Sequence, residues 1–421
     1  MSAPQLSAAL PPARIPFATT EITPAAQRAV ADVLASGWVT TGPQVVEFER
    51  EFAEWVNAPH AVAVASCTAA IELALRALDL PAGSKVLTST MTFCGAVHAI
   101  VHAGLQPVLA DINPNTLMPD EDTVAQATAR AGGVDAMVVL HFAGQPAPVR
   151  ALAEAASLPL SRVIEDAAHA VGTWVDDEQV GSISAATCFS FYATKNLPIG
   201  EGGMVTTGDE VIADRIRKMR LHGMSRDAWK RYLPGGSWRY EVDCPGLKAN
   251  MTDIQAAIGR AQLVALSDWQ QRRSEIADRY DHQLFAVPGI SRPARPARGL
   301  HAWHLYVVKV DRRRAGIRRD ELMEALSDRG IGTSVHFIPA HQQPYFQRLL
   351  GEGTATGFPA ADREFDRILS LPLHPGLSDD DIDRVCDAVL DVVAHPRMPR
   401  PRPEPDAPAI HLTIPAQKVV Q

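Results

Sequence analysis

A single lysine, Lys195, stands in an unusual part of the sequence. The segment CFSFYATKNLPIGEGGMVTTG, residues 188–208, surrounds it with aromatic and small polar residues and continues into a glycine run. Some other lysines, in contrast, have charged neighbours, as in RIRKMR. A lysine amine can condense with an aldehyde and so attach a cofactor covalently. The segment therefore suggests a catalytic lysine, although a lysine taken alone is more often a solvated surface residue.

Polar and aromatic residues also follow several predicted strands. The strand HAVAVAS runs into Ser66-Cys67-Thr68-Ala69, where a helix begins, and the free N–H groups and dipole of such a helix end attract a phosphate. In an open α/β sheet, ligands bind beyond the carboxyl ends of the strands, so residues at these ends are expected to share one site. The candidate residues are Thr68, Ala69, Phe93, Asp166, His169, Ser190 and Lys195.

This set matches the needs of pyridoxal phosphate (PLP). A carboxylate can keep the pyridine nitrogen protonated, which makes the ring an electron sink, and an aromatic side chain can stack on the ring. Helix N-terminal amides and hydroxyls can hold the phosphate. No GxGxxG sequence follows a strand and no P-loop occurs, so the phosphate turn is of neither kind. Taken singly, Asp166 or Thr68 could instead cap a helix, and Phe93 could belong to the core.

The elements that must position these residues alternate along the chain. Short apolar strands alternate with helices over residues 60–210, which predicts a mostly parallel sheet. Near the N-terminus, Thr23, Pro24 and Gly37 indicate the start and end of a helix. One long helix is predicted from Thr252, and after it LYVVKV and TSVHF are predicted strands. The predicted α/β organisation is a loose N-terminus (1–14), a large domain (15–265), a smaller α+β domain (266–395) and a Pro-rich tail (396–421).

Composition excludes several other classes of protein. The chain has 421 residues and a net charge of −8, which argues against a nucleic-acid or anionic-membrane surface. No apolar run approaches a membrane span and no signal peptide is evident, so a cytoplasmic protein is expected. Five scattered cysteines without CxxC spacing suggest free thiols. His98 and His102 lie four residues apart, but no third ligand accompanies them, so no metal site is predicted.

Six segments resemble one known family. GWVTTGPQVVEFE, SCTAAIELAL, TFCGAVHAI, VIEDAAHAVG, FSFYATKNLPIGEGG and MTDIQAAIG are similar, in this order, to the DegT/DnrJ/EryC1/StrS family of PLP-dependent sugar aminotransferases. The resemblance covers residues 15–390 and implies fold type I. By position, it implies that Lys195 binds the cofactor and Asp166 its ring nitrogen. It further implies that Phe93 stacks on the ring, that His169 lies beside the ring hydroxyl and ring face, and that Thr68 and Ser190 hold the phosphate.

The sequence departs from the family pattern before the long helix. Many members read GYNYRM there, and the Asn reaches the phosphate in the partner subunit; this chain reads GLKANM, with Lys248 at the Asn position and Asn250 at the Arg position. The resemblance thus implies a homodimer with shared sites, to which Lys248 contributes. In the substrate-side loop SVHFIPAHQQPYF, His336 and His341 are candidates for contact with sugar or donor carboxylate, or for neither.

The substrate expected from the resemblance is a nucleotide-linked keto sugar. The loop at residues 336–343 is closer to members that aminate C4 than to those that aminate C3, so we expect a dTDP-linked 4-keto-6-deoxyhexose with L-glutamate as donor. A branch of the family with histidine in place of the lysine is disfavoured by Lys195. Amination at C3, amination of a cyclitol ketone and a non-enzymatic regulator on the same scaffold remain as alternatives.

Overall fold

The described part of the chain forms three β-sheets, of seven, three and two strands. The computed structural model describes residues 14–224, 240–351 and 357–396, so most of the predicted loose N-terminus and Pro-rich tail lies outside the described residues. In chain order the strands are β1 (His60–Val64), β2 (Lys85–Ser89), β3 (Gln106–Ala110), β4 (Ala136–Leu140), β5 (Val163–Asp166), β6 (Trp174–Val175), β7 (Glu178–Gln179), β8 (Ala186–Ser190), β9 (Gly203–Thr207), β10 (Ile290–Ser291), β11 (Tyr306–Val310) and β12 (Ile368–Leu371).

The largest sheet has seven strands in the order β1-β9-β8-β5-β4-β2-β3. Only β9 runs against its neighbours, and the pairs from β8 to β3 are all parallel. This confirms the predicted mostly parallel sheet. The parallel strands are almost wholly buried, except for the first three residues of the edge strand β3, because helices cover the faces of the sheet. A separate antiparallel sheet, β10-β11-β12, lies in the C-terminal part, and the smallest sheet pairs β6 with β7.

Fourteen α-helices are found among the described residues. They are α1 (Pro24–Ser36), α2 (Pro43–Trp55), α3 (Cys67–Ala77), α4 (Cys94–His102), α5 (Glu121–Ala131), α6 (Val149–Ala155), α7 (Glu210–Met219), α8 (Asp253–Leu263), α9 (Leu266–Gln283), α10 (Arg312–Ala315), α11 (Arg319–Ser327), α12 (Pro344–Leu350), α13 (Pro359–Phe365) and α14 (Asp379–Ala394). The ends of α1 are as predicted: Thr23 accepts from the Ala26 N–H, Pro24 is the first residue, and Gly37 is left-handed. None of these helices combines the length and the apolar character needed to cross a membrane.

The long helix predicted from Thr252 is two helices. Helix α8 ends at Leu263 and α9 begins at Leu266, with Val264 exposed at the junction. Helix α8 packs closely on α2, because a Cβ on Gly259 would lie 2.5 Å from the ring of Phe48. The junction coincides with the boundary expected between the two domains, although that division stays a prediction.

The N-terminal segment around Ile15 packs against the C-terminal part of the chain. Ile15 is 2% exposed; its N–H donates to the Gly330 carbonyl at 2.9 Å, and the Gly332 N–H donates to the Ile15 carbonyl at 2.8 Å. The segment TSVHF, predicted as a strand, forms only one isolated bridge, between Ser334 and Ser370. Its neighbouring residues pair with the Ile15 segment instead, so no continuous ladder forms along β12.

Candidate active site

A cavity of about 540 Å³ opens where the carboxyl ends of the strands meet the second sheet. Strands β5 and β8 and the turn after β1 supply one side, and residues beside β11 and β12 supply the other. Most of the residues selected from the sequence line this cavity, although they come from distant parts of the chain. They are Thr68, Phe93, Asp166, His169, Ser190, Lys195 and His336.

The first turn of α3 forms one end of the cavity. Ser66 caps this helix by accepting from the Ala69 N–H at 3.2 Å, so the cap is Ser66, not Thr68. The N–H groups of Cys67 and Thr68 have no acceptor within the helix, as in any first turn. The Ala69 N–H is engaged by Ser66, and Ala69 does not line the cavity. The free amides and the Thr68 hydroxyl make this end suitable for an anion.

Two glycines keep the space beside this turn open. A Cβ on Gly95 would lie 2.5 Å from Thr68 Oγ1 and 3.2 Å from Phe93 Cδ1. A Cβ on Gly203 would lie 2.6 Å from the Ser66 carbonyl carbon and 2.8 Å from the Cys67 nitrogen. A larger residue at Gly95 would displace the Thr68 hydroxyl. A larger residue at Gly203 would displace the main chain of the turn.

Asp166 ends β5 and is 4% exposed. One carboxylate oxygen accepts from the Ala168 N–H at 3.1 Å and contacts the Cys67 thiol at 3.8 Å. Burial raises the pKa of Asp166, opposed by the Ala168 hydrogen bond and by the charge of Lys195. A protonated ring nitrogen next to this carboxylate would offset its desolvation, because an opposite charge favours the ionised form.

Lys195 lies in a turn that follows β8. Its N–H donates to the Tyr192 carbonyl at 2.8 Å, which closes the turn. Burial lowers the pKa of Lys195 to about 8, and Asp166 opposes this shift. The amine is therefore neutral in a larger fraction of molecules near neutral pH than an ordinary lysine, which is the state that attacks an aldehyde.

Phe93 and Ser190 complete this side of the cavity. Phe93 is 58% exposed, although it lies inside the cavity, and its ring centroid is 5.8 Å from that of Phe337. An aromatic face left open in a cavity can stack on a flat ring. Ser190 is 6% exposed, and its hydroxyl accepts weakly from the Tyr192 N–H at 3.4 Å.

Three imidazoles form the opposite wall. His169 accepts from the Ala143 N–H at Nδ1 (3.2 Å), so its proton is on Nε2. His304, which the sequence analysis missed, lies 4.4 Å from it between ring centroids. His336 stacks on Phe17 at 5.5 Å and contacts Ser370 Oγ through Nδ1 at 2.9 Å. Burial lowers the pKa of all three, that of His336 to about 4, and the charge of Lys195 acts in the same direction.

Besides Ala69, two further selected residues do not line the cavity. His341 is 2% exposed and binds Thr90 Oγ1 (2.7 Å) and Asp362 Oδ1 (2.8 Å), so the structure gives it a packing role. Lys248 is exposed, and its amine contacts the Asn250 side chain. Its expected role involves a second subunit and stays a prediction.

The expected absence of a metal site concerns His98 and His102. Their rings stack at 5.7 Å, and His98 packs on Phe346 at 4.9 Å. Within the described ranges, no group of three or more histidines, cysteines and acidic residues could hold a metal ion. His98 therefore has a packing contact, and the expectation that the pair binds no metal stays a prediction.

The cavity fits PLP by the chemistry of its groups. It offers an amine of lowered pKa, a buried carboxylate, an open aromatic face, two hydroxyls and a helix end whose space two glycines preserve. The amine matches the aldehyde, the carboxylate matches the ring nitrogen, and the aromatic face matches the ring face; the hydroxyls and the helix end together match the phosphate.

Comparisons with known proteins agree with this reading. The sequence profile of the DegT/DnrJ/EryC1/StrS aminotransferase family matches residues 20–390. SpsC of Bacillus subtilis (strain 168), a spore coat polysaccharide biosynthesis protein, is 51% identical over 365 residues, which cover 86% of this chain and 93% of SpsC.

Solved structures show the same fold. The PLP form of Spr1654 from Streptococcus pneumoniae has a TM-score of 0.81 at 31% identity and covers 90% of this chain and 99% of its own. The sugar aminotransferase CalS13 from Micromonospora echinospora has a TM-score of 0.79 at 30% identity, with the same coverage of 90% and 99%. These comparisons confirm fold type I and PLP as the cofactor. The chain therefore belongs to the DegT/DnrJ/EryC1/StrS aminotransferase family, and with that membership the expected PLP-dependent sugar aminotransferase is confirmed.

Proposed function

We propose that this enzyme transfers the amino group of L-glutamate to C4 of a nucleotide-linked 4-keto-6-deoxyhexose, with dTDP as the nucleotide. The observation that carries the proposal is the convergence of Lys195 and Asp166 on one cavity that also has an open aromatic face and a helix N-terminus. The relationship to SpsC supports a product that enters a polysaccharide, since SpsC is named for that process.

Lys195 has two roles in this proposal. It attaches the cofactor and, once released, its Nζ moves a proton to and from the carbon that gains the amino group. A pKa of about 8 suits both directions, because the amine can be protonated or neutral near physiological pH. The bound cofactor supplies the electron sink that this proton transfer requires.

The remaining residues orient the cofactor. Asp166 would keep a proton on the ring nitrogen, and Phe93 and His169 would hold the ring. The hydroxyls of Thr68 and Ser190, with the free amides of α3, bind the phosphate. These assignments rest on the lining of the cavity and on the family positions.

A second subunit completes the site in the proposal. Lys248 is exposed and does not line the cavity of its own chain, so its ammonium could exchange its contact with the Asn250 side chain for the phosphate of a partner. A phosphate carries about two negative charges, and a nearby ammonium would strengthen its binding. We therefore propose a homodimer with two shared sites.

The position of amination is proposed from the substrate-side loop. The sequence from His336 to Gln343 resembles that of C4-aminating members, and His336 lies in the cavity wall beside Phe17. For a different carbon to react, the sugar must turn within the cavity while its nucleotide stays at the cavity entrance. The cavity wall that contains His336 and Phe17 therefore selects the carbon that reaches Lys195.

The test is product NMR after parallel incubation with dTDP-linked 4-keto and 3-keto sugars, glutamate and PLP. We expect an amine at C4. An amine only at C3, or turnover only of free cyclitol ketones, would overturn the substrate assignment and leave the aminotransferase intact. Replacement of glutamate by glutamine in parallel reactions tests the donor.

A further inference from the structure

His304 is held in one orientation by the residue that follows the lysine. Asn196 donates through Nδ2 to the Ala302 carbonyl at 2.8 Å, which fixes its amide so that Oδ1 faces His304. His304 Nδ1 lies 3.1 Å from that oxygen. Because an amide oxygen only accepts, His304 Nδ1 carries the proton, and Nε2 has a lone pair.

The lone pair of His304 Nε2 has no partner among the described residues. His304 is 6% exposed and lines the cavity, and its Nδ1 edge is taken by Asn196. The Nε2 edge is thus the polar edge left for a ligand. Nε2 is not one of the fully buried polar atoms that lack a partner, so it is open to the cavity and a hydrogen-bond donor of a ligand can reach it.

The adjacent imidazole has the opposite tautomer. His169 carries its proton on Nε2, because its Nδ1 accepts from Ala143, and its ring centroid is 4.4 Å from that of His304. The wall thus presents a donor and an acceptor side by side. An ionised phenolic oxygen, such as that of the cofactor ring, needs the donor; an alcohol, which keeps its proton, can use the acceptor.

We propose that Asn196 and His304 form a subsite in which His304 Nε2 accepts a hydrogen bond from a hydroxyl group of the keto sugar. This inference rests on the proposed keto-sugar substrate. His304 contacts the substrate, and Asn196 is a positioning residue that fixes the tautomer. Lys195 and His304 line the same cavity, and Asn196, which contacts His304, directly follows Lys195, so the proposal places this hydroxyl on a carbon beside the reacting ketone.

The first variant is His304→Phe, which keeps a ring and removes both nitrogens. We expect the half-reaction with the keto sugar to slow by about 10- to 30-fold, as for a lost hydrogen bond at a desolvated site, and the half-reaction with glutamate to be unchanged. A keto sugar that lacks the neighbouring hydroxyl should react equally with wild type and variant. His341→Phe, which removes a buried histidine outside the cavity, is the matched control.

The second variant, Asn196→Asp, tests the tautomer by pH. The titratable groups that act on His304 are Lys195, His169, Arg273 and His336, and with burial they lower its pKa well below the ordinary value. A carboxylate at position 196 would raise that pKa, so Nε2 would become protonated and lose its acceptor as pH falls. We expect kcat/KM for the keto sugar to fall as the pH is lowered, with a midpoint at higher pH in the variant than in wild type.

The outcomes separate the two proposals. If wild type aminates no 4-keto sugar, the proposed function fails, and the comparison is repeated with the keto sugar that it does aminate. If His304→Phe slows the hydroxylated and deoxy sugars equally, slows the glutamate half-reaction as much, or shifts the absorption spectrum of the bound cofactor, the sugar-hydroxyl subsite is refuted. An unchanged pH profile in Asn196→Asp also refutes it.

Discussion

Gly95→Ala should weaken cofactor binding without unfolding the protein. The new Cβ would lie 2.5 Å from Thr68 Oγ1, whereas real Cβ atoms essentially never come closer than 3.0 Å. Thr68 is a short side chain, and rotation about its Cα–Cβ bond relieves the contact by turning the hydroxyl out of its position. The second contact, 3.2 Å to Phe93 Cδ1, needs only a small shift.

The magnitude follows from the group that is displaced. A hydrogen bond to a charged group contributes roughly 1.5–3 kcal/mol, so loss of the Thr68 hydroxyl should weaken PLP binding by about 10- to 100-fold. The backbone of Gly95 is not left-handed, and alanine is favoured over glycine in a helix by about 1 kcal/mol, which offsets part of the strain. Apoprotein stability should therefore change little.

The assay combines equilibrium binding of PLP to the apoprotein with thermal unfolding. Thr68→Ala should weaken binding by a similar factor, and Gly95→Ala added to it should cost much less than in wild type, because the clashing oxygen is absent. Gly203→Ala is the contrast: its Cβ meets the main chain of Ser66, which cannot rotate away, so apoprotein stability should also fall. Wild-type PLP affinity in Gly95→Ala, or full additivity in the double variant, would refute the reasoning.

Three further predictions concern the two lysines. Lys195→Ala should fold and bind PLP without attaching it, and should lose turnover; a complete transamination cycle in this variant would contradict the assignment. In the apoprotein, the rate of covalent PLP attachment should rise with pH around a midpoint of about 8, because the amine of Lys195 is mostly neutral above its lowered pKa. Stopped-flow absorbance measures this rate. A midpoint near the ordinary lysine pKa of 10.5 would contradict the argument that burial lowers the pKa of Lys195. Lys248→Ala should lose cofactor faster during gel filtration, and a fully active monomer at working concentration would contradict a shared site.

Local signals made part of the fold predictable. The ends of α1 were set by Thr23, Pro24 and Gly37, which act within one turn of themselves. The strand-end rule found Asp166 and Lys195, because parallel strands deliver their following residues to one edge of the sheet. The break between α8 and α9 was not predicted, since residues 264 and 265 keep helical composition through the junction.

The parts of the site that the sequence did not predict depend on long-range contacts. His304 was missed because its role depends on Asn196, which is 108 residues away, and nothing in AWHLYVV signals a cavity. His341 follows His336 closely in sequence, but the 3-10 turn Ala340–Gln342 directs it towards Thr90 and Asp362. The alternative in which Thr68 only caps α3 does not apply, because Ser66 is the cap; both residue types are good caps, and only the backbone geometry distinguishes them.

The N-terminal segment sets a limit on how the chain can be shortened. Ile15 is fixed between Gly330 and Gly332, and two residues later Phe17 covers His336 at the cavity wall. A deletion that ends before residue 14 leaves these contacts intact, whereas one that passes Phe17 would open the substrate side of the cavity to water. Affinity tags and fusion partners should therefore be joined upstream of Arg14, and an inactive truncated preparation can reflect a missing wall of the cavity.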